Sequence, residues 1–298
     1  MKPTAVLLGA SGRLGRHLVP LLSAAGIDTI AVARSPDTGQ PGAAEWIAAD
    51  LMNRQDQMRV VSAVGVQCGN AKRVAIIDLV LDRSGVESMR GSVQAATDTV
   101  LRLRDRLREC AAQPHLVVAS TTAVLAPGLY QTPYGLAKRR QVITYARSGL
   151  PGVAVLLPVL GERAGDAAPQ RWPAWSFDHA AHRLHTAAGA APGSAFIIKV
   201  PSLDSDRVVA TDGREGPLIP AVLMAHLRCL LTDRSSMQAH RSAARSRLGL
   251  SPPQLRRRVD HHLAPAELVR RFANRYHVTI VRDRDVSSPE REGMPPHA

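Results

Sequence analysis

The sequence predicts an α/β fold built on a doubly wound parallel sheet, and three observations carry that reading. First, an apolar run, Thr4-Ala5-Val6-Leu7-Leu8, leads into the glycine turn Gly9-Ala10-Ser11-Gly12-Arg13-Leu14-Gly15 and then into the amphipathic stretch 17–22. Second, short apolar runs recur through the first half of the chain, separated by helical patterns. Third, those runs are continuous rather than alternating, as expected of strands buried on both faces of a parallel sheet. Strand–helix alternation at this rhythm implies right-handed crossovers.

Each element follows in order. Strand one covers 4–8 and its helix follows the glycine turn. Asp28-Thr29-Ile30-Ala31-Val32-Ala33 reads as strand two and Trp46-Ile47-Ala48-Ala49 as a short strand three. Arg73–Ile77 is strand four, His115–Ala119 strand five and Val153–Leu157 strand six. Helical patterns lie near 53–64, 92–112 and 134–148. After Pro158 the rhythm breaks. Residues 161–176, rich in Gly, Ala, Pro and Trp, read as a loop with little regular structure. A helix is expected over 177–188, a strand over 195–200, and helices over 219–232 and 264–276. The last residues, with Pro289, Pro295 and Pro296, should fray.

The chain has 298 residues, of which 45% are apolar, enough for a core in one large or two small domains. No apolar stretch approaches the ~20 residues that span a bilayer. A glycine turn stands where a signal peptide would continue its apolar region. Cys68, Cys110 and Cys229 are odd in number and lack pairing or metal spacing, which points to reduced thiols in the cytoplasm. The net charge of +13 invites a nucleic-acid partner. Almost all of it is arginine, however, spread over several helices. The dense cluster Arg241, Arg245, Arg247, Arg256, Arg257 and Arg258 has no interleaved aromatic to stack bases. It reads as a solvated helical face, and a nucleic-acid partner is disfavoured.

The glycine turn has the chemistry of a dinucleotide site. In a wound βαβ unit the first glycine permits the tight turn and the second lets a pyrophosphate approach the backbone. The third brings the helix close to its strand, and the helix N-terminus offers unpaired N–H groups and a partial positive charge. Further on, Tyr134-Gly135-Leu136-Ala137-Lys138 puts a phenol and an ammonium on one helix face. A neighbouring cation favours the phenolate and brings the group towards the range useful for proton transfer. Ser120-Thr121-Thr122 stands at the C-terminal end of strand five, the edge where open α/β sheets bind ligands. A hydroxyl there can hold a carbonyl oxygen while the tyrosine protonates it.

With these pieces in order, the chain resembles the short-chain dehydrogenase/reductase superfamily in its extended, epimerase/dehydratase-like branch. Gly9, Gly12 and Gly15 match the branch's glycine spacing. Ser120-Thr121-Thr122-Ala123-Val124 resembles its strand-five motif, and Thr132-Pro133-Tyr134-Gly135-Leu136-Ala137-Lys138 its Pro-Tyr-x-x-x-Lys helix start. Leu156-Leu157-Pro158-Val159-Leu160-Gly161 is similar to the segment after strand six, and Asp50-Leu51 to the pair whose carboxylate meets the adenine. The resemblance covers residues 4–161 and implies a Rossmann-type sheet. Residues 1–160 would form the NAD(P)-binding domain and 161–286 a small substrate-binding portion, with a strand returning near 195–200. Residues 287–298 would be a flexible tail.

The resemblance also implies roles. Tyr134 would be the acid/base. Lys138 would lower its pKa and hold the nicotinamide ribose, and Thr122 would orient the reacting oxygen. Gly9, Ser11, Gly12, Arg13, Leu14, Gly15, Arg34, Asp50, Leu51, Leu79 and Lys138 would contact the cofactor, and no metal site is expected. Arg34 closes strand two where an NAD-binding chain places a carboxylate, which favours NADP over NAD, and Arg13 offers a second phosphate contact. Two departures stand out. Val80 and Leu81 replace small residues at the end of strand four and would crowd the cofactor, and Leu8 replaces a common threonine.

Ala123 and Val124 stand where the branch's 4,6-dehydratases carry Asp and Glu, which disfavours water elimination. The expected activity is NADP-dependent reduction of a ketone, or oxidation of a secondary alcohol, on a small molecule. A nucleotide-sugar epimerase and a non-catalytic NADP-binding regulatory protein are the alternatives. No membrane partner is expected, and a homodimer stays open. Trp172, Trp175, Phe177, His179, His182 and His185 lie in the region that selects substrate. The three-residue spacing of His179 and His182 fits a packed amphipathic helix better than a metal site, which needs more ligands.

Overall fold

A computed structural model describes residues 3–36, 41–69, 71–82, 84–126, 132–158, 160–161, 175–190, 193–201 and 265–282. Its order is β1 (Thr4–Leu8), α1 (Arg13–Ala24), β2 (Asp28–Ala33), β3 (Glu45–Ala48), α2 (Arg54–Gln67), β4 (Arg73–Asp78), α3 (Val86–Glu109) and β5 (Gln113–Thr121). A 3₁₀ turn (Thr122–Leu125), α4 (Pro133–Arg147), β6 (Gly152–Leu157), β7 (Leu160–Gly161), β8 (Trp175–Ser176) and α5 (Phe177–Gly189) follow. β9 (Phe196–Val200), α6 (Pro265–Tyr276) and β10 (Thr279–Arg282) complete the described part.

The eight-stranded sheet runs β10-β9-β6-β5-β4-β1-β2-β3, with every neighbouring pair parallel. Its two faces carry separate cores. Val60, Leu103, Val142 and Phe272 bring α2, α3, α4 and α6 onto one face, and Leu18 and Leu184 bring α1 and α5 onto the other. The apolar runs of β1, β4, β5 and β6 are continuous because both of their faces are covered. β1 lies between β2 and β4, so the strand order reverses there. That opens a crevice above the C-terminal strand ends, where such sheets bind ligands.

Most predicted elements stand where the sequence puts them, and the differences have local causes. α3 begins six residues earlier than expected, because its first turn is mostly polar and buries little before Met89 and Ser92. β5 is longer at both ends, with Gln113 and Pro114 paired to β4. Gly161 pairs with Ser176, and Leu160 with Trp175, in a two-stranded ribbon that joins the two ends of the region read as loop. β10 was not anticipated. It follows a helix end closed by His277 at φ +53° and a bond from Val278 N–H to Ala273 O, a Schellman-type stop that redirects the chain onto the sheet edge. The sheet therefore continues beyond residue 160, with β9 beside β6. The predicted helix 219–232, the arginine cluster 241–258, Trp172, Cys229 and the tail lie outside the described residues. No helix among the described residues is long and apolar enough to cross a membrane.

Candidate active site

The glycine turn is fixed by its backbone. The N–H groups of Gly9 and Ala10 both donate to Val32 O, at 2.9 and 3.1 Å, tying the turn to the end of β2. Gly9 sits at φ +84°, a conformation that favours glycine, and its open side abuts the Leu79 and Val80 backbone. A Cβ on Gly15 would collide with the Ala10 backbone, so only glycine lets α1 approach β1 this closely. Gly12 caps α1 without a side-chain hydrogen bond.

A cleft of about 680 Å³, open to solvent, lies over this turn. Its walls are Gly9, Ser11 and Gly12, the end of β2 through Arg34, residues 49–52, residues 79–82, and Ser92. The structure thus brings Gly9, Ser11, Gly12, Arg34, Asp50, Leu51 and Leu79 to one cavity. The Asp50 carboxylate accepts the Met52 N–H at 3.0 Å, and its own N–H donates to Asp56 at 2.8 Å. Val80 and Leu81 line the same cleft. At its rim Arg34 Nη1 lies 3.0 Å from Asp82 Oδ2. Arg13 points elsewhere in the fold, its guanidinium 5.1 Å from the centre of the Phe177 ring at the start of α5.

These residues fit a dinucleotide. The uncapped N-terminus of α1 borders the cleft and leaves N–H donors for a pyrophosphate. Asp50 and Arg34 at the far wall suit an adenosine and its ribose substituent.

The second group of predicted residues sits on β5 and α4. Thr122 opens the 3₁₀ turn directly after β5 and is partly exposed. Thr121 Oγ1 accepts the Ala123 N–H at 3.2 Å, whereas the buried Ser120 hydroxyl has no partner among the described residues. Thr132 caps α4 by accepting the Gly135 N–H at 3.0 Å, and Pro133 occupies the first turn. That start places Tyr134, half-buried, one turn before Lys138. Arg139 secures the 3₁₀ turn, donating from Nε to Val124 O at 2.7 Å and from Nη2 to Ala126 O while its guanidinium lies over Phe272 and Tyr276.

Lys138 is 2% exposed. Its Nζ donates to Gln141 Oε1 at 3.0 Å and to Val80 O at 3.4 Å. Gln141 Nε2 in turn donates to Asp78 Oδ2 at 2.8 Å, as does the Tyr145 hydroxyl at 2.8 Å, and Asp78 Oδ1 accepts the Val80 N–H at 3.0 Å. Asp78 and Tyr145 are fully buried. Burial holds the Lys138 ammonium below the usual lysine range, against the pull of the Asp78 charge. Burial, together with Asp78, pushes the Tyr145 phenol well above its ordinary value, so it remains a donor.

Beside this geometry stands a match in sequence. The family model described as the NAD dependent epimerase/dehydratase family covers residues 5–155, just over half of the chain. The chain belongs to that family. The fold agrees. A short-chain dehydrogenase from Leptospira borgpetersenii with bound NAD+ superposes with a TM-score of 0.52 at 11% identity, over 66% of this chain and 91% of the other. A short-chain type dehydrogenase/reductase from Mycobacterium ulcerans gives 0.53 at 16% identity, over 66% and 87%. ElxO with NADP bound gives 0.52 at 11% identity, over 66% and 97%. No curated protein matches the chain.

Within this epimerase/dehydratase domain, sequence reasoning picked out Tyr134, Lys138 and Thr122 but passed over Asp78, Gln141 and Tyr145 as a set. A signal was present. Tyr134, Lys138, Gln141 and Tyr145 recur at helical spacing along one face of α4, and Asp78 is a lone carboxylate ending an apolar run. On α5, the face that packs is Ala180, Ala181, Leu184, Ala187 and Ala188, while His179 and His182 are exposed, the His179 ring lying 4.6 Å from the Trp175 ring and accepting from Arg183.

Proposed function

We propose that this protein is an NADP-dependent oxidoreductase that reduces a ketone, or oxidises the corresponding secondary alcohol, on a small molecule. The observation that carries this reading is the placement of Tyr134 and Lys138 on one turn of α4, beyond the β5 edge that Thr122 directly follows, in a fold whose glycine-turn cleft has Arg34 at its rim. When bound, the nicotinamide supplies or accepts the hydride. Tyr134 gives its phenolic proton to the carbonyl oxygen in reduction and takes it back in oxidation. Thr122 holds that oxygen through its hydroxyl. Lys138, one helical turn after Tyr134, is assigned to the ribose and to lowering the phenol's pKa, and Arg34 meets the 2′-phosphate through its planar fork.

The cofactor preference is tested by titrating the full chain with NADPH and NADH. Wild type should bind NADPH more tightly. Arg34→Asp should weaken NADPH binding by an order of magnitude or more, because a charge-assisted phosphate contact contributes ~1.5–3 kcal/mol. Equal affinities of the wild type for the two cofactors would contradict the assignment. The reaction class is tested with a panel of ketones followed by NADPH consumption. Silence across that panel, with tight NADPH binding retained, would shift the reading to an epimerase or a regulatory protein.

A further inference from the structure

The structure assigns to Asp82 the role of an internal anion that competes with the cofactor's 2′-phosphate for Arg34, and so sets how strongly the protein discriminates between NADPH and NADH. The inference rests on the dinucleotide reading of the cleft and deepens it. Both residues line the cleft, 48 positions apart in the chain. Arg34 Nη1 donates to Asp82 Oδ2 at 3.0 Å, so the guanidinium that would receive a phosphate already holds a carboxylate.

The two partners are not equally free. The Asp82 side chain is 18% exposed, and the residue is anchored through both its carboxylate and its backbone. Its Oδ1 accepts the Ser84 N–H at 2.8 Å, and its own N–H donates to Ser92 Oγ at 3.0 Å. Ser92 is buried on α3, and its hydroxyl donates a hydrogen bond to Met89 O at 3.0 Å. The Arg34 side chain, 64% exposed, is the partner that can turn. A nucleotide carrying a 2′-phosphate must therefore draw Arg34 away from a fixed carboxylate, or bring a second anion beside it. A nucleotide with a free 2′-hydroxyl meets neither obstacle. The hydrogen bonds from Ser84, with Arg34 nearby, hold the Asp82 carboxyl below the usual carboxylate range, so the competitor keeps its charge near neutral pH.

The test is a set of binding titrations on the full-length protein, which needs no substrate. Wild type, Asp82→Asn, Asp82→Ser, Arg34→Gln and the double variant Arg34→Gln/Asp82→Asn are each titrated with NADPH and NADH. Asn keeps an acceptor for Ser84 and Ser keeps a short polar group, so the loop is preserved in at least one of the two. Removing the carboxylate should tighten NADPH binding by roughly threefold to tenfold, a range suited to a partly exposed charge pair. NADH binding should change less than about twofold, and the gain should shrink as salt is raised. In the Arg34→Gln background the gain should disappear, because the effect runs through Arg34.

An unchanged NADPH-to-NADH ratio in both Asp82 variants would overturn the inference. So would a gain of equal size without Arg34, which would mark a general charge effect. In either case tight cofactor binding by the wild type would leave the proposed function standing. Failure of all five proteins to bind either nucleotide would instead refute the dinucleotide reading, and this role with it.

Discussion

Tyr134→Phe should lower turnover by roughly 10²–10⁴-fold, the usual worth of a positioned acid/base group. The substitution keeps the ring and its packing at the start of α4 and deletes only the oxygen that moves the proton. NADPH affinity should barely change, because Tyr134 is not among the residues that line the cleft over the glycine turn. Lys138→Met should damage both quantities, since the lysine is assigned to the ribose as well as to the phenol. Thr122→Ser should be tolerated better than Thr122→Val, because only the former keeps a hydroxyl for the reacting oxygen. The measurement is steady-state turnover and cofactor titration on whichever ketone the panel yields. Undiminished turnover by Tyr134→Phe would remove it from the role of proton donor.

The second large effect is on stability. Asp78→Asn should destabilise the protein by roughly 3–5 kcal/mol near neutral pH, the cost of leaving a buried charge without its partner. Asp78 is the only carboxylate among the described residues that the network around Lys138 contains, reaching it through Gln141. The loss should depend on pH in a particular direction. The folded-state pKa of Lys138 is depressed, so between that value and the unfolded value of about 10.4 the unfolded chain binds more protons. Stability from this group therefore rises with pH across that window. Removing Asp78 depresses the folded value further and widens the window downwards. The deficit of the variant relative to wild type should be largest near neutral pH and shrink as pH approaches 10. Urea denaturation of both proteins across that range measures it. A deficit below about 1 kcal/mol, or one that does not vary with pH, would mean that Lys138 does not rely on Asp78.

This network also shows where reading the sequence stops. The strands were legible because each is a run of apolar residues covered on both faces, and β2 has the bounds its composition suggests. The start of α4 was legible from the resemblance of Thr132–Lys138 to a family helix start, and Thr132 and Pro133 do satisfy helix-end chemistry there. The glycines were legible because their constraints are local. Gly9 turns through a positive φ and Gly15 meets a backbone atom five residues away.

By itself, then, the sequence determined the wound α/β sheet and the glycine turn, and it marked Tyr134, Lys138, Thr122 and Arg34 as the residues proposed to bear chemistry. Each of those features depends on neighbours within about one turn of helix or one strand. The tertiary structure decided what those side chains touch. It set Arg34 against Asp82, carried Arg13 over Phe177, and placed the Lys138 ammonium in a buried chain running to Asp78. It also added β10 to the sheet edge, where four residues after a helix stop pair with β9 and Ile280 packs onto the core. These contacts join residues that are far apart in the chain. Their partners are chosen by which strand ends and helix faces the sheet brings together, and no local pattern of residue types encodes that choice.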